Sequence, residues 1–218
     1  MSAAEHSEAV QDYLRVIYNL ERQDGRATTS AIAETLDVTA ASAAGMVTKL
    51  ASRGLVEHTP YRGVTLTVVG ERDALEVVRH HRLLERYLAE SLSVPLADVH
   101  DEADRLEHAL SERLEAQIDA SLGHPTHDPH GDPIPDLDLN VATEELRALS
   151  DVGEGQLATI RRVPDSDEEI LEELCALGLL PGVSVLVKVA SPEQSLTLIV
   201  DGTERALPME VASQIGVA

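Results

Sequence analysis

The most constraining feature of the sequence is its first 70 residues, where the apolar pattern changes from helical spacing to alternation. Apolar side chains recur three and four positions apart in residues 6–23, which predicts an amphipathic helix. A short helix capped within residues 28–30 follows, and then a third helix that begins at Thr39 and ends at Gly54. Residues 55–69 then alternate as two short strands. This order of elements predicts a winged helix-turn-helix.

In a winged helix-turn-helix, the third helix enters a major groove of DNA and the hairpin touches the phosphate backbone. Small side chains at the front of that helix lie close to base edges but discriminate weakly, so DNA shape must supply much of the specificity. The alternative is a three-helix packing unit with a hairpin that binds no DNA. The predicted DNA-contacting residues are Thr29, Thr39, Ala41, Ser42 and Arg62.

Charge is distributed unevenly along the chain. The formal net charge is -22, yet the count is -3 over residues 1–75 and +1 over residues 25–63. If any segment approaches a polyanion, it is therefore the helix-turn-helix. The chain has two lysines and neither Phe nor Trp, which favours a halophilic protein working in molar salt, where the Debye length falls to ~3 Å. An ordinary acidic protein is the alternative.

Several classes are excluded by what the sequence lacks. It has no run approaching the ~20 apolar residues that cross a bilayer, and acids stand where a signal peptide would be basic, so we expect a cytoplasmic protein without a membrane partner. The single cysteine, Cys175, cannot form an internal disulfide or a Cys-rich zinc site, and we expect a free buried thiol. Any metal site must use His, Asp and Glu.

The remaining sequence predicts a helical region and a β-rich region. Two long helices, one after Gly70 and one over residues 96–122, carry surplus apolar surface that indicates a homodimer interface. A Pro-rich, acidic linker over residues 124–150 follows. Residues 155–163, 183–190 and 195–202 are expected as strands, with a helix over 166–176, as in a small SH3-like β-barrel.

The expected fold is mainly α with a smaller β part. We expect three domains: an N-terminal winged helix-turn-helix over residues 1–74, a helical metal-binding and dimerisation domain over 75–140, and a C-terminal SH3-like β-barrel domain over 151–218.

The helical region carries candidate metal ligands at helical spacing. His100, Asp104, Glu107 and His108 stand at i, i+4, i+7 and i+8, which would place them on one face of a helix. His81 and Glu85 are similarly one turn apart on the preceding helix. Imidazoles and carboxylates in this number suit a six-coordinate divalent cation. The alternative is a solvated, salt-bridged face with Arg82, Arg86 and Arg105 nearby.

The segments QDYLRVIYNLE, VRHHRLLERYL, VHDEADRLEHALS and GDPIP, in this order, resemble the diphtheria toxin repressor family of iron- and manganese-dependent transcription regulators. The resemblance covers nearly the whole chain. It implies a metal-loaded homodimer that binds a palindromic operator in double-stranded DNA and regulates metal-uptake genes. It also implies an FeoA-like C-terminal domain.

The resemblance implies two ions in each subunit. Asp12, Asp104, Glu107 and His108 would form one site, and His81, Glu85 and His100 the second, with His81 a possible shared ligand. In the loop HPTHDPHG, Asp128 and His130 match positions that donate ligands to the second ion in some manganese-responsive members. A polar linker is the alternative, chiefly for His124 and His127.

Departures from the family pattern bear on the metal. Asp12 and Asp104 stand where iron-responsive members have sulfur ligands, which favours Mn²⁺ over Fe²⁺ because hard oxygen replaces soft sulfur. Arg15 stands where short manganese regulators have another acid, so their two-ion cluster is in question. The longer members take an extra ligand from the SH3-like domain, for which Asp165 and Asp167 are candidates while Arg162 stands near the matching place.

Three rival functions stay open at this point. The first is an iron(II)-dependent regulator of iron homeostasis that uses the same residues. The second is a hydrolytic metalloenzyme, against which no residue remains as a base beside an open coordination position. The third is a metal-independent winged-helix protein. A non-enzymatic, metal-dependent repressor is the function that the sequence predicts best.

Overall fold

The structure is a computed structural model that describes residues 6–59, 63–165, 167–191 and 195–218. The chain divides into two compact units. The first comprises Met1–His81, Arg105–Glu115 and Pro135–Asn140, and the second comprises Arg82–Asp104, Ala116–Ile134 and Val141–Ala218.

The N-terminal part of the first unit is a winged helix-turn-helix, which confirms the predicted fold. Residues 60–62, which include the predicted DNA contact Arg62, lie outside the described residues. Its elements in chain order are α1 (Glu8–Asp24), α2 (Thr29–Thr35), α3 (Ala40–Ser52), β1 (Val56–Thr59) and β2 (Gly63–Leu66).

Local chemistry explains where these helices begin and end. Gly25 adopts φ +72° and closes α1 in the left-handed conformation that glycine favours. The Thr28 and Thr39 hydroxyls accept hydrogen bonds from Ala31 and Ser42 backbone N–H groups, capping α2 and α3. The fully buried apolar side chains of this part include Val10, Leu14, Ile17, Ile32, Ala43, Val47, Leu50 and Val64.

The helical region differs from the prediction of two long helices. The first of them is α4 (Val68–Leu92), but the second is broken into α5 (Val99–Leu106), a 3-10 turn (Glu107–Ala109) and α6 (Glu112–Ser121). The break occurs because Leu110 is extended, with φ -71° and ψ 120°. The Ser111 hydroxyl then accepts a hydrogen bond from the N–H of Leu114, at the start of α6. The idea that four candidate ligands share one continuous helical face is therefore wrong.

The C-terminal part of the second unit is a six-stranded sheet in the order β3-β8-β4-β5-β6-β7. Within the described residues, no pairing joins β3 to β7, so the sheet is not closed into the barrel that the sequence suggested. Its strands are β3 (Arg147–Ala148), β4 (Leu157–Arg162), β5 (Ser184–Ser191), β6 (Ser195–Val200), β7 (Thr203–Pro208) and β8 (Gly216–Val217).

Two helices accompany this sheet, α7 (Glu168–Leu177) and α8 (Met209–Ala212). Asp167 caps α7 by accepting a hydrogen bond from the N–H of Ile170. Cys175 is only partly buried against the apolar core, where burial and the nearby charge of Glu172 raise the pKa of its thiol.

The expected linker over residues 124–150 is in part a packed loop. Asp128 and His130 are 2% and 0% exposed, which no solvated linker would allow. This loop is relevant to function because it carries two of the candidate metal ligands.

Among the described helices, none combines the length and apolar character that a membrane span requires.

Candidate metal centre

The first unit contains a cluster of three candidate ligands, here called the first cluster: Asp12, Glu107 and His108. Helix α1 presents Asp12, and the 3-10 turn presents the other two. Nε2 of His108 lies 2.9 Å from Oδ1 of Asp12 and 3.7 Å from Oε1 of Glu107. One donor atom from each residue falls within 4.8 Å of the other two. The break after α5 is thus what brings Glu107 and His108 to α1.

Two neighbours orient the first cluster. Nδ1 of His108 donates a hydrogen bond of 2.6 Å to Oε1 of Gln11, which turns Nε2 toward Asp12. Nδ1 of His81 lies 2.6 Å from Oε2 of Glu107, whose side chain is fully buried. The His108 imidazole and the Glu107 carboxylate are therefore each held in position by a neighbouring residue.

Arg15 places a positive charge beside the first cluster. Its Nε lies 3.4 Å from Oε1 of Glu107, and its Nη1 lies 3.4 Å from Nδ1 of His81. Burial raises the pKa of Asp12, although the charges of His108 and Arg15 act in the opposite direction. The guanidinium partly balances two carboxylates that would otherwise repel each other.

The second unit contains the second cluster, which consists of Glu85, Asp128 and His130, with His100 and Asp165 at its edge. Oε1 of Glu85 lies 3.1 Å from Nδ1 of His100, and Oε2 lies 3.7 Å from Nδ1 of His130. Glu85 thus joins two sets of donor atoms, one with Asp128 and His130 and the other with His100 and Asp165, each set within 4.8 Å. Helix α4 supplies the central carboxylate.

The loop that carries Asp128 and His130 is held from several directions. Oδ1 of Asp128 accepts hydrogen bonds of 2.9 Å from the N–H groups of His130, Gly131 and Asp132. Nη1 of Arg82 donates to the Pro133 carbonyl at 2.6 Å. These contacts fix the loop conformation that turns its two candidate ligands toward Glu85.

The C-terminal sheet also supports this loop within the second unit. The N–H of Val163 donates to the His130 carbonyl at 2.9 Å. A Cβ added to Gly131, which has φ +96°, would lie 1.9 Å from the carbonyl oxygen of Arg161. Only glycine permits so close an approach of loop and strand.

The ionisable groups of the second cluster are strongly perturbed. Burial, together with the charge of Glu85, raises the pKa of Asp128 to about 8. Burial alone would lower the pKa of His130, but the hydrogen bond and charge of Glu85 outweigh it and raise that pKa to about 9. Two buried carboxylates therefore lie together, and the positive charges of Arg82 and His130 offset their repulsion only in part.

Both clusters fit a hard divalent cation. Their donors are carboxylate oxygens and imidazole nitrogens, which suit Mn²⁺ and Fe²⁺, and neither contains a thiolate or thioether. Oδ2 of Asp128, buried in the second cluster, accepts no hydrogen bond from any described residue, although Nε of Arg82 lies 3.6 Å from it. A buried carboxylate oxygen in an ion pair without a hydrogen bond keeps part of its desolvation cost, which a bound divalent cation would offset.

The structure brings most of the predicted ligands into two clusters, but the members of each cluster differ from those predicted. Asp104 lies 4.0 Å from His100 in the second unit, whereas the other predicted members of its site belong to the first unit. His81 contacts Glu107 of the first cluster. The predicted membership of Asp104 in the first site, and the sharing of His81, stay predictions.

The sequence did not identify the residues that hold the candidate ligands in position. Gln11 was missed, because its partner His108 is far away along the chain and no spacing rule connects them. Arg82 was considered only as part of a salt-bridged face, and its guanidinium lies 3.6 Å from Asp128 and 3.7 Å from Asp132. Asp167 caps α7, whereas Asp165, the other candidate from the C-terminal domain, does reach the second cluster.

Four of the five predicted DNA contacts lie at the start of α2 and of α3, and the fifth, Arg62, lies outside the described residues. Ala41 and Ser42 are exposed, and Thr29 is partly buried at the first position of α2. The Thr39 hydroxyl caps α3 and also pairs with the Ser42 hydroxyl at 2.9 Å. The exposed front of α3 is therefore small and mostly uncharged, as the sequence predicted.

Family models match three consecutive segments of the chain. Residues 5–64 match the iron dependent repressor N-terminal DNA binding domain, and residues 67–136 match the iron dependent repressor metal binding and dimerisation domain. Residues 147–218 match the FeoA domain.

Similar proteins support the same assignment. The iron-dependent repressor IdeR of Mycobacterium leprae is 32% identical over 218 residues, with 94% of each chain covered. The diphtheria toxin repressor of Corynebacterium efficiens is 33% identical over 184 residues, covering 79% of this chain and 80% of the relative.

Among solved structures, a manganese-dependent transcriptional repressor in complex with manganese is 38% identical, with a TM-score of 0.88 and coverage of 96% of this chain and 99% of the other. The IdeR of T. acidophilum is 29% identical, with a TM-score of 0.80 and coverage of 95% and 96%. With its DNA-binding helices, its two clusters of oxygen and nitrogen donors and these relatives, the chain belongs to the diphtheria toxin repressor family of iron- and manganese-dependent transcriptional regulators, which are not enzymes.

Proposed function

We propose that this protein is a Mn²⁺-activated repressor of metal-uptake genes that binds a palindromic operator as a homodimer. The observation that carries the proposal is the first cluster, because one of its donors, Asp12, belongs to a helix of the DNA-binding fold itself. A cation held there acts directly on the part of the molecule that reads DNA. Iron(II) is the second candidate, because the curated relatives IdeR are named iron-dependent repressors.

Each subunit would hold two ions. The first would use Asp12, Glu107 and His108, and the second would use Glu85 with Asp128, His130, His100 and Asp165. Asp104 and His81 are proposed as additional ligands from the family pattern. The absence of sulfur from both donor sets favours Mn²⁺ over ions that prefer thiolate or thioether.

The switch follows from the charges on these residues. Asp12 and Glu107 bring two carboxylates together, and Arg15 supplies only one compensating charge. A divalent cation supplies the missing positive charge and a common ligation point for the two segments. Helix α1 packs against α2 and β2, and α2 packs against α3, so a fixed position of α1 constrains the recognition helix α3.

The energy required for this switch is modest. A bias of ~3 to 5 kcal/mol toward the DNA-competent arrangement is enough to turn a minor population into the dominant one. A homodimer would present two copies of α3 to successive major grooves, which matches a palindromic site. The matched metal binding and dimerisation domain supports this assembly.

The acidic composition supports a further part of the proposal, namely that the protein works at high salt. A net charge of -22 with two lysines would oppose the approach to DNA at low ionic strength. Molar KCl screens that repulsion within ~3 Å, so the small, weakly charged front of α3 can approach the groove.

The test is an operator titration by fluorescence anisotropy in molar KCl, with the full-length chain in Mn²⁺, in anaerobic Fe²⁺ and in chelator. We expect tight binding in Mn²⁺ and at least a hundredfold weaker binding in chelator, as a bias of ~3 kcal/mol implies. Asp12→Ala should remove the gain, whereas Asp151→Ala, which removes an exposed acid outside both clusters, should keep it. Equal affinity in Mn²⁺ and in chelator would contradict the proposal, and a gain with Fe²⁺ alone would select the iron-dependent function.

A further inference from the structure

A buried polar chain lies outside both metal clusters, in the first unit. Nε2 of His6 lies 2.8 Å from Oδ2 of Asp73, and the two side chains are 0% and 1% exposed. The other ring nitrogen, Nδ1, lies 2.7 Å from Nη2 of Arg53. His6 is therefore held on both sides by charged groups, although it contributes to neither candidate metal site.

The partners indicate which tautomer of the imidazole fits this arrangement. A guanidinium nitrogen can only donate, so Nδ1 of His6 must accept the hydrogen bond from Arg53. The ring proton is then on Nε2, which donates to the Asp73 carboxylate. Both hydrogen bonds involve a charged partner, the kind that contributes most in a buried setting.

The three residues are placed by three different helices: His6 and Arg53 lie just outside the ends of α1 and α3, and Asp73 lies within α4. His6 directly precedes Ser7, the N-cap of α1, and Arg53 is the C-cap residue of α3. The chain of hydrogen bonds thus connects the beginning of the helix that carries Asp12 to the end of the recognition helix.

Polar and close backbone contacts position the end of α3, in addition to the buried side chains of Val47 and Leu50. The Thr67 hydroxyl donates to the Gly54 carbonyl at 2.7 Å, and a Cβ on Gly70 would lie 1.9 Å from the Leu55 carbonyl oxygen. These contacts tie α3 to the start of α4 but not to α1. The His6–Arg53 hydrogen bond adds a direct link between the start of α1 and the end of α3, beside the packing of α1 on α2 and of α2 on α3, and this link is directional whereas apolar packing is not.

We infer that His6 is a positioning residue that transmits the placement of α1 to the recognition helix, through Arg53 and with Asp73 as its anchor. This inference rests on the proposed function, because it assumes that the metal acts on α1 and that α3 reads DNA. It assigns to His6 a role in coupling metal binding to DNA binding, and no role in holding the metal.

The experiment uses full-length His6→Leu and His6→Gln. Leucine removes both hydrogen bonds at similar volume, whereas glutamine can accept from Arg53 through its carbonyl and donate to Asp73 through its amide. For each variant, the Mn²⁺ affinity is measured by electron paramagnetic resonance titration. The operator affinity is measured by anisotropy with Mn²⁺ and with chelator.

We expect His6→Leu to bind Mn²⁺ as the wild type does but to lose about tenfold of the Mn²⁺-induced gain in operator affinity, the loss typical of a charged hydrogen bond. His6→Gln should retain the gain. If His6→Leu does not fold, Arg53→Met tests the same link, and it should reduce the ratio of the two operator affinities rather than both affinities equally.

Full retention of the Mn²⁺-induced gain in His6→Leu would overturn the inference, and so would an equal loss in His6→Gln, which would indicate a merely structural role. Asp12→Ala, measured in parallel, separates the two proposals. If Asp12→Ala loses the gain while His6→Leu keeps it, only the inference fails. If Asp12→Ala also keeps the gain, the proposed function itself fails.

Discussion

Replacing Gly131 with alanine is expected to release the loop of the second cluster from the C-terminal sheet. The added Cβ would lie 1.9 Å from the Arg161 carbonyl oxygen and 2.9 Å from Cα of Arg162. Non-bonded heavy atoms pack at about 3.5 Å, so loop and strand must separate by roughly 1.5 Å. The φ of +96° adds backbone strain of about 1 to 3 kcal/mol.

The separation should weaken metal binding, because Asp128 and His130 lie just before this glycine in the chain and turn with the loop. Displaced support of this kind typically costs about 10- to 100-fold in metal affinity. We therefore expect Gly131→Ala to bind one Mn²⁺ with the wild-type affinity and the second about 10- to 100-fold more weakly. The first cluster is formed by other residues and should keep its ion.

Gly155→Ala is the matched control. Gly155 also has a positive φ, of +75°, but nothing lies within 4 Å of an added Cβ, so it carries the strain without the clash. The assay is an equilibrium Mn²⁺ titration followed by electron paramagnetic resonance, with the thermal midpoint measured in parallel. If both variants bind two ions as the wild type does, the loop does not hold the second ion and the assignment of the second cluster is wrong.

Three further predictions concern the first cluster, the second cluster and the net charge. Glu107→Gln keeps the shape of the side chain but removes the charge that faces His81 and Arg15. Both the first ion and the Mn²⁺-induced operator affinity should therefore be lost, as measured by metal content and anisotropy. Retention of both would contradict the role of Glu107. Chelator-treated protein should lose thermal stability as pH rises through the range 6.5 to about 9. Burial and the charge of Glu85 raise the pKa of Asp128 to about 8. Burial lowers the pKa of His130, but Glu85 outweighs that effect and raises this pKa to about 9. For both groups the folded state binds the proton more tightly than the unfolded chain, so a thermal midpoint that increases over this range would refute the assigned environment. The thermal midpoint should also rise between about 0.1 M and about 2 M KCl if the charge of -22 reflects a protein adapted to salt, whereas an ordinary acidic protein would change little.

The parts of the fold that local chemistry determines were predictable from the sequence. The helices of the helix-turn-helix begin and end near the positions that the pattern indicated, at Gly25, Thr39 and Gly54. The break after α5 was not predictable, because residues 106–110 contain neither Gly nor Pro and favour a helix. Tertiary contacts accompany the break, since Glu107 and His108 bond to partners on α4 and α1.

The candidate sites were likewise predictable only in part. The residue types and local spacing of the ligands identified most donors, but the partition into two clusters depends on contacts between segments distant in sequence. Gln11 and His108 are 97 positions apart, and no periodicity connects them. The position of the loop that carries Asp128 and His130 also depends on its contact with the end of β4; the sequence predicted that strand but not its pairing with this loop.

The central claim is that metal binding and DNA binding are thermodynamically linked, and such a link must be reciprocal. The most direct test is the affinity for Mn²⁺ measured with and without operator DNA, by electron paramagnetic resonance titration at one KCl concentration. Reciprocal linkage requires that operator DNA tighten Mn²⁺ binding by the same factor by which Mn²⁺ tightens operator binding, and we expect no such effect from a scrambled duplex. An affinity for Mn²⁺ that is the same with operator, with scrambled duplex and without DNA would contradict it.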